Sequence, residues 1–172
     1  MNLTNGIIYL KTPTLSDKAN VEDYKKEFQT QNAKMFGSGG FNKEDNYEDW
    51  LKSLALKNQL SHLVPATQFL AYRCEDHKLV GMVNIRHYLN EVLQEHGGHI
   101  GQSVRPSEQG KGYGTMQIAL ALKYLKPLGQ TQVLMTCDLD NIASMKSILK
   151  NGGVEDTNHN NKEIKKFWIN NI

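Results

Sequence analysis

The sequence predicts one domain of the mixed α/β class. Its 172 residues suit a single domain, and apolar residues make up 39% of the chain, as in most globular proteins. Four segments carry apolar residues at helical spacing, and five others are rich in β-branched and aromatic residues. Toward the C-terminus these segments alternate as strand, helix, strand and helix, which is typical of layered α/β structures. We therefore expect residues 1–172 to form a single domain.

The first third of the chain predicts two helices joined by a glycine-rich loop. The helices span residues 16–28 and about 46–58, and the loop spans residues 35–45. Ser16 or Asp17 can cap the first helix. The apolar residues of each helix fall on one face, namely Val21, Tyr24 and Phe28 in the first and Tyr47, Trp50, Leu51 and Leu54 in the second.

The middle of the chain predicts three strands. "TQFLAYRCED" and "LVGMVNIRHYL" form a hairpin around the turn-like residues 75–78, and "GGHIGQSVRP" forms a strand that ends at Pro106. The helix that follows, over residues 112–126, is apolar nearly all round, which indicates a buried helix.

The last part predicts a strand over residues 132–138, a helix over residues 141–153 and a final strand over residues 164–170. Asn141 caps this last helix, and its apolar face is formed by Ile142, Met145 and Leu149. The rule for crossover connections places the strands that end near Pro106 and Asp138 side by side and parallel.

Charge and targeting signals exclude several classes of function. The net charge is +2 and the basic residues are scattered, which gives no support for binding nucleic acid or a membrane surface. The N-terminus lacks the features of a signal peptide, so a cytoplasmic location is expected. Cys74 and Cys137 both lie in predicted strands and are expected to be free thiols.

One segment, "VRPSEQGKGYG", carries glycine at three alternate positions: Gly110, Gly112 and Gly114. It lies between a predicted strand and the start of a buried helix. At such a place free backbone N–H groups and the positive end of the helix dipole converge and favour an anion, above all a phosphate. Lys111 adds a positive charge. The segment therefore predicts a pyrophosphate-binding loop rather than a simple turn.

Two familiar phosphate-binding motifs compete for this loop. The P-loop motif is absent because no lysine and serine or threonine follow the required glycines. A dinucleotide fingerprint fits Gly110 and Gly112 but has Thr115 at its third glycine position, and "RPSEQ" separates it from its strand. Asp138 ends the next strand, where a ribose-binding acid would lie. The dinucleotide alternative therefore stays open.

A third pattern fits the loop better. "QGKGYG" matches [QR]-x-x-G-x-[GA] between a strand and a long helix, and "NIAS" opens the helix after the next strand. Together with "VGMVNIRHYLN", these segments resemble the GNAT superfamily of N-acetyltransferases, in particular a bacterial subgroup of predicted acetyltransferases. The resemblance implies a central, mostly antiparallel twisted sheet with two splayed parallel central strands, flanked by helices.

The resemblance also implies acetyl-CoA as the acetyl donor and direct transfer of the acetyl group to a primary amine of a small molecule or peptide. No nucleic acid, membrane or metal partner is implied, and a homodimer is compatible with the resemblance. The residues implied to bind the cofactor are Val104, Gln109, Gly110, Lys111, Gly112, Tyr113, Gly114, Thr115, Asn141 and Ser144.

Catalytic residues are implied near the splayed strands. A backbone N–H near Ser103 would polarise the thioester carbonyl. His99 is a candidate base, and the alternative is that it serves only the strand's structure. His87 and Glu91 are further candidates for the base, and the acceptor is expected to lie against Ser38, Gly39, Gly40, Arg86 and His87. The remaining histidines are expected at the surface: His62, His77, His96 and His159.

One position departs from the family pattern. Many members carry a proton-donating tyrosine seven residues after the helix-opening asparagine, whereas this chain has Ile148 there. We expect no side chain at that position to complete the reaction. A non-catalytic acyl-CoA-binding module is therefore an alternative function. An acyl-enzyme on Cys137 is an alternative mechanism, although a thiol in the core is the expectation.

Overall fold

The computed structural model describes residues 3–159 and 161–172. Its helices and strands are mixed along the chain. In order they are β1 (Ile8–Lys11), α1 (Lys18–Thr30), α2 (Tyr47–Lys57), β2 (Ala66–Arg73), β3 (Leu79–Arg86), α3 (Glu91–Glu95), β4 (Ile100–Val104), α4 (Tyr113–Leu125), β5 (Gln132–Asp138), α5 (Ile142–Lys150), β6 (Gly153–Glu155) and β7 (Ile164–Asn170).

The strands form two antiparallel sheets. The first has the order β1-β2-β3-β4 and the second the order β5-β7-β6. The predicted hairpin is confirmed, since β2 pairs with β3 from Ala66 opposite Arg86 to Tyr72 opposite Leu79. Because β4 and β5 are the edge strands of different sheets, the helix between them, α4, connects one sheet to the other.

Helices cover both faces of the first sheet. Side chains alternate along β2 and β3, except where a register shift opposite Ala71 and Tyr72 interrupts the alternation in β3. One face packs against α1 and α2 through Leu70, Tyr72, Leu79 and Met82. The other face packs against α4 and the second sheet through Phe69, Ala71, Val80, Val83 and Ile85. This explains why the third strand, "LVGMVNIR", is apolar at nearly every position.

The predicted elements agree with the structure within a few residues, with three omissions: β1, α3 and β6 were not expected. The predicted burial of two helices was partly wrong. Ala119 of α4 is exposed, so that helix has one solvent-facing side. In α5, Ile142 and Leu149 are exposed by 52% and 49%, whereas Ile148 is fully buried and partly buried Met145 packs beside it.

The edges of β4 and β5 meet at one end only. His99 donates its backbone N–H to Leu134 O at 2.8 Å, and a single bridge of antiparallel type joins Gly98 and Met135. Beyond this contact no ladder connects the two strands among the described residues. The two strands are therefore neighbours, as expected, but they separate instead of pairing along their length.

No helix in the described ranges combines the length and the hydropathy that crossing a membrane requires.

Candidate active site

A pocket of about 350 Å³ opens where β4 and β5 separate. We call it the strand pocket. It is lined from both strands, from the loop after α1 and from the start of α5. Its main lining residues are Phe36, Gly37, Arg86, His96, Gly101, Gln102, Thr136, Cys137, Asp138, Asn141 and Ser144.

The pairing of β4 with β3 determines which backbone groups face this pocket. Arg86 N–H donates to His99 O and Arg105 N–H donates to Val80 O, both at 2.8 Å. Hydrogen-bonded residue pairs alternate in an antiparallel ladder, so Ser103, which lies opposite Met82, also directs its N–H toward β3. The N–H groups of the neighbouring residues 102 and 104 point to the opposite edge. This edge is open toward β5.

The side chain of Ser103, near which the polarising N–H is expected, makes structural contacts. Its hydroxyl donates to Phe36 O at 2.6 Å and accepts a hydrogen bond from the Tyr24 hydroxyl at 3.1 Å. The side chain is 8% exposed. Ser103 therefore anchors the loop after α1 onto β4, and the free N–H groups that the resemblance implies belong to Gln102 and Val104.

The geometry points against His99 as the base. Its Nδ1 accepts the backbone N–H of Leu134 at 2.9 Å, so the neutral ring carries its proton on Nε2, which lies 3.2 Å from Gln130 Oε1. Burial lowers its pKa, and the hydrogen bond to Gln130 opposes this shift only in part. His99 does not line the strand pocket. We therefore assign His99 a structural role, as the side chain that fastens β4 to β5 where they diverge.

The loop before α4 requires glycine for two different reasons. Gly110 and Gly112 have φ angles of +78° and +86°, which residues with a side chain rarely adopt. Gly114 has an ordinary φ, but a Cβ there would lie 3.2 Å from Ser147 Oγ of α5. The first two glycines therefore shape the turn that exposes the N-terminal amides of α4, and the third allows α4 and α5 to approach each other.

The buried carboxylate of Glu108 holds this loop in place through ion pairs. Glu108 binds Lys78 at 2.7 Å, Lys111 at 2.8 Å and Arg73 at 3.0 Å. Burial acts to raise its pKa, but the hydrogen bonds from Lys111 and Lys78 and the nearby positive charges outweigh it and hold the pKa at about 2. Arg73 also binds Asp76, so three cations face two carboxylates and the cluster keeps one net positive charge. Lys111 is thus paired rather than free.

The other residues implied to bind the cofactor take different positions. Tyr113 is 6% exposed and its hydroxyl accepts a hydrogen bond from Arg73 at 3.1 Å, so only its backbone is available at the helix start. Gln109 donates from Nε2 to Val104 O at 3.2 Å. Thr115 accepts a hydrogen bond at its carbonyl from Asn151 and offers its own N–H in the first turn of α4.

The start of α5 lines the other side of the strand pocket. Asn141 accepts the N–H of Ser144 at 3.0 Å, which confirms the predicted cap and leaves the side-chain amide N–H groups of Asn141 for another partner. Ser144 and Asn141 both line the pocket. Ile148, one turn further, is fully buried beneath Gly153 in the main core. A tyrosine at position 148 would have to displace core side chains to reach the pocket.

Cys137 lines the strand pocket, although its side chain is largely buried. Burial raises the pKa of its thiol to about 11. The nearby Asp138 acts in the same direction. The thiol is therefore protonated at neutral pH and is a poor nucleophile. Both cysteines are free, as expected.

A second cavity, of about 590 Å³, lies beside the strand pocket. We call it the loop cavity, because the loops after α1 and α2 form much of its wall. Of the residues expected to contact the acceptor, Ser38, Gly39, Gly40 and Arg86 line it. His87 does not, since its Nε2 lies 2.8 Å from Thr67 Oγ1, away from the cavity. The two cavities share Phe36, Gly37 and Arg86.

Two of the histidines expected at the surface, His62 and His96, are exposed as expected, and they also line these cavities. His62 lies on the loop cavity and His96 on the strand pocket. Their segments are polar and irregular, and no local spacing connects them to the glycine loop. The position of His96 depends on α3, a helix of five residues that the sequence pattern did not reveal. Glu91, the other candidate base, lies on this helix but lines neither cavity.

One comparison with known proteins gives the family of this chain. A family model described as an acetyltransferase (GNAT) domain matches residues 8–154. A search of curated protein sequences gave no match.

Several solved structures share the fold. A ribosomal-protein-S5-alanine acetyltransferase from Vibrio fischeri is 17% identical, with a TM-score of 0.71, over 99% of this chain and 97% of that one. RimJ from Mycobacterium smegmatis, solved in complex with a CoA disulfide, is 16% identical, with a TM-score of 0.71, over 95% and 81% of the two chains. The spermidine/spermine N-acetyltransferase SpeG from Vibrio cholerae is 16% identical, with a TM-score of 0.65, over 97% and 95%.

The family model matches residues 8–154, which is most of the chain. The solved structures share the fold of this chain over nearly its whole length. The divergent strands and the glycine loop of the family pattern are both present. The chain therefore belongs to the GNAT family of acetyl-CoA-dependent N-acetyltransferases.

Proposed function

We propose that this protein transfers the acetyl group of acetyl-CoA directly to a primary amine of a small molecule or a peptide. The observation that carries the proposal is the meeting of two cavities at Phe36, Gly37 and Arg86. A donor that enters between β4 and β5 and an acceptor in the loop cavity would meet there. No intermediate on the protein is then required, because both reactants reach the same point.

The residues around the strand pocket fit the donor. The N-terminal amides of α4, from Tyr113 to Thr115, and the positive charges around Glu108 suit its pyrophosphate. The unpaired edge of β4 at Gln102 and Val104 suits an extended chain that carries amide groups. Asn141 and Ser144 face the same pocket from α5. These positions support most of the residues implied by the family resemblance.

Acetyl-CoA supplies an acetyl group that a thioester has already activated. The chain's own contribution is to stabilise the negative charge that develops on the carbonyl oxygen. We assign this to the free N–H of Gln102 or Val104. Among the described residues that line the strand pocket there is no tyrosine. The coenzyme thiolate therefore leaves without a tyrosine acid, since a thiol loses its proton near pH 8.5 and its anion is a moderate leaving group.

We assign proton removal from the amine to His96. It lines the strand pocket, and histidine is the side chain that most often serves as a general base. Replacing His96 with alanine is expected to lower kcat/KM by about 10²–10⁴-fold, the usual contribution of general base catalysis. Added imidazole should restore part of the rate, which a purely structural loss would not allow. The control is His159→Ala, a change at an exposed turn. Full activity of His96→Ala would exclude this role.

Direct transfer makes a second prediction. Replacing Cys137 with alanine should leave kcat within about tenfold of the parent, which is about 1.4 kcal/mol in the barrier. The thiol is protonated and serves packing rather than attack. Steady-state kinetics with acetyl-CoA and a reactive amine measure this effect. An acetyl group found on Cys137 by mass spectrometry after rapid quenching would contradict direct transfer.

The function itself is tested with a panel of amines: polyamines, amino acids, aminoglycosides and peptides with free N-termini. Several relatives act on ribosomal proteins or on spermidine, as their names state, so the panel includes both kinds of amine. Tight binding of CoA without turnover on any amine would favour a non-catalytic acyl-CoA-binding module. Binding of NAD in place of CoA would favour the dinucleotide alternative. A cytoplasmic location and a homodimer stay predictions.

A further inference from the structure

Arg86 differs from the other two arginines of the sequence. Arg73 binds both Asp76 and Glu108, and Arg105 binds both Asp23 and Glu27. No carboxylate among the described residues pairs with Arg86, at the end of β3. A guanidinium keeps its charge in proteins and carries five N–H donors. Arg86 therefore has donors and a positive charge to offer.

The guanidinium lies in a prepared position. Its Nη1 makes two long hydrogen bonds, of 3.4 Å each, to the carbonyls of Gly97 and Gly98. Gly101, on the adjacent strand, leaves room for it: a Cβ there would lie 3.3 Å from Nη1 and 3.5 Å from Nη2 of Arg86. Two backbone carbonyls thus accept hydrogen bonds from Nη1. No described residue accepts a hydrogen bond from Nε or Nη2 of the same guanidinium.

Burial of this group is unfavourable without a counter-ion. The residue is partly buried, and burial lowers its pKa from the ordinary value. A buried ion without a partner destabilises a protein, whereas two charged groups that bind each other offset the cost. Since Arg86 has no carboxylate partner among the described residues, an anionic ligand would be the group that neutralises its charge.

The surroundings of Arg86 give the location of that ligand. Arg86 is shared by the strand pocket and the loop cavity, so it lies where donor and acceptor would meet. The charged side chains that line the loop cavity are Lys57 and Arg86, and the cavity also includes His62. No Asp or Glu of the described residues lines it. The loop cavity is therefore positive, which disfavours a polyamine acceptor.

We propose that Arg86 binds a carboxylate that the acceptor carries close to its amine. This rests on the proposed function, because it describes the acceptor of that reaction. The preferred acceptor is then a molecule with both groups, either an amino acid through its α-carboxylate or a peptide with an acidic residue near its N-terminus. Arg86 binds the carboxylate with the planar fork of its guanidinium. The neutral amine is left at the junction of the two cavities, in reach of the acetyl group.

The test compares acceptors that differ only in the carboxylate. One pair is an amino acid and its C-terminal amide, and the other is a peptide beginning Ser-Asp and the same peptide beginning Ser-Asn. At least one carboxylate acceptor should exceed its neutral partner in kcat/KM by about 10- to 100-fold, the effect of a hydrogen-bonded ion pair. Which pair shows the difference identifies the source of the carboxylate. Spermidine should be a poor acceptor.

Variants of Arg86 separate binding from folding. Arg86→Gln should raise KM for the carboxylate acceptor by about 10- to 100-fold and change kcat/KM for the neutral partner by less than about threefold. Arg86→Lys should retain part of the preference, because it keeps the charge but loses the fork. Lys123→Gln, a loss of charge on the exposed side of α4, is the matched control. The carboxylate acceptor should also raise the Tm of the parent but not of Arg86→Gln.

The outcomes distinguish this inference from the function on which it rests. Equal kcat/KM for both members of each pair, or spermidine as the best acceptor, would overturn the carboxylate assignment while the acetyltransferase activity stands. An equal loss on all acceptors in Arg86→Gln would also overturn it, because Arg86 would then act on the donor. Binding of CoA without acetylation of any amine would overturn the proposed function instead.

Discussion

Replacing Gly112 with aspartate is expected to abolish CoA binding while the chain stays folded. Gly112 immediately precedes α4. We expect an aspartate side chain at this position to lie close to the phosphates held by the first amides of that helix. The new carboxylate would repel them and raise the Kd for CoA by about a hundredfold or more. A Cβ at Gly112 meets only Met116 Cε, at 3.7 Å, so crowding within the protein is not the cause. Calorimetric titration with CoA measures the effect.

Two variants separate charge from backbone strain in this experiment. Gly112→Asn has nearly the same shape without the charge, and asparagine tolerates the positive φ of +86° better than most residues. It should keep CoA affinity within about tenfold of the parent. Gly129→Asp introduces the same residue at a φ of +79° in open space away from the loop, and should bind CoA normally. Normal CoA binding by Gly112→Asp would refute the assignment of the loop.

Replacing His99 with alanine is expected to have the second large effect, on stability. The change leaves the buried N–H of Leu134 without its acceptor and creates a cavity where β4 and β5 meet. The free energy of unfolding should fall by roughly 2–4 kcal/mol. His99→Asn should recover much of this loss, because its side-chain oxygen can accept the same N–H. Denaturant unfolding with CD detection measures all three proteins.

The same pair of variants tests whether His99 acts as a base. If its role is structural, His99→Asn should keep most of the activity, whereas the loss of a base would lower it by 10²-fold or more. The pH dependence of stability has a definite sign. Burial lowers the pKa of His99 in the folded state, so the unfolded chain binds more protons as the pH falls below about 6.5. This contribution to stability is complete above that pH and is lost on acidification. His99→Asn lacks the titrating group, so its stability should fall less as the pH is lowered.

Most of the elements and the glycine turn before α4 could be predicted from the sequence because their causes are local. The glycine positions before α4 reflect φ angles that the loop itself requires, and the cap of Asn141 lies three residues from its donor. The hairpin of β2 and β3 has apolar strands around a short turn. In each case, the interacting groups are near in sequence, so spacing alone carries the information.

The surroundings of the candidate catalytic side chains could not be predicted in the same way. His99 was a candidate base because it lies on the correct strand, but its role depends on Gln130 and Leu134, more than 30 residues later. Ile148 rather than Ile142 or Leu149 is buried in α5, because the packing of α5 against α4 and β6 decides which face is covered. The position of His96 depends on the short helix α3. Each of these outcomes needs the tertiary arrangement.

The separation of β4 and β5 also has a consequence for assembly. A free strand edge normally offers its backbone groups to any passing chain, and exposed edges promote aggregation. Here two such edges face each other across a gap that is closed where His99 meets Leu134. Because each edge faces the other strand and not open solvent, a strand of another protein has less access to it. The fold thus keeps unsatisfied hydrogen-bonding groups for a slender, extended ligand while it hides them from neighbouring proteins.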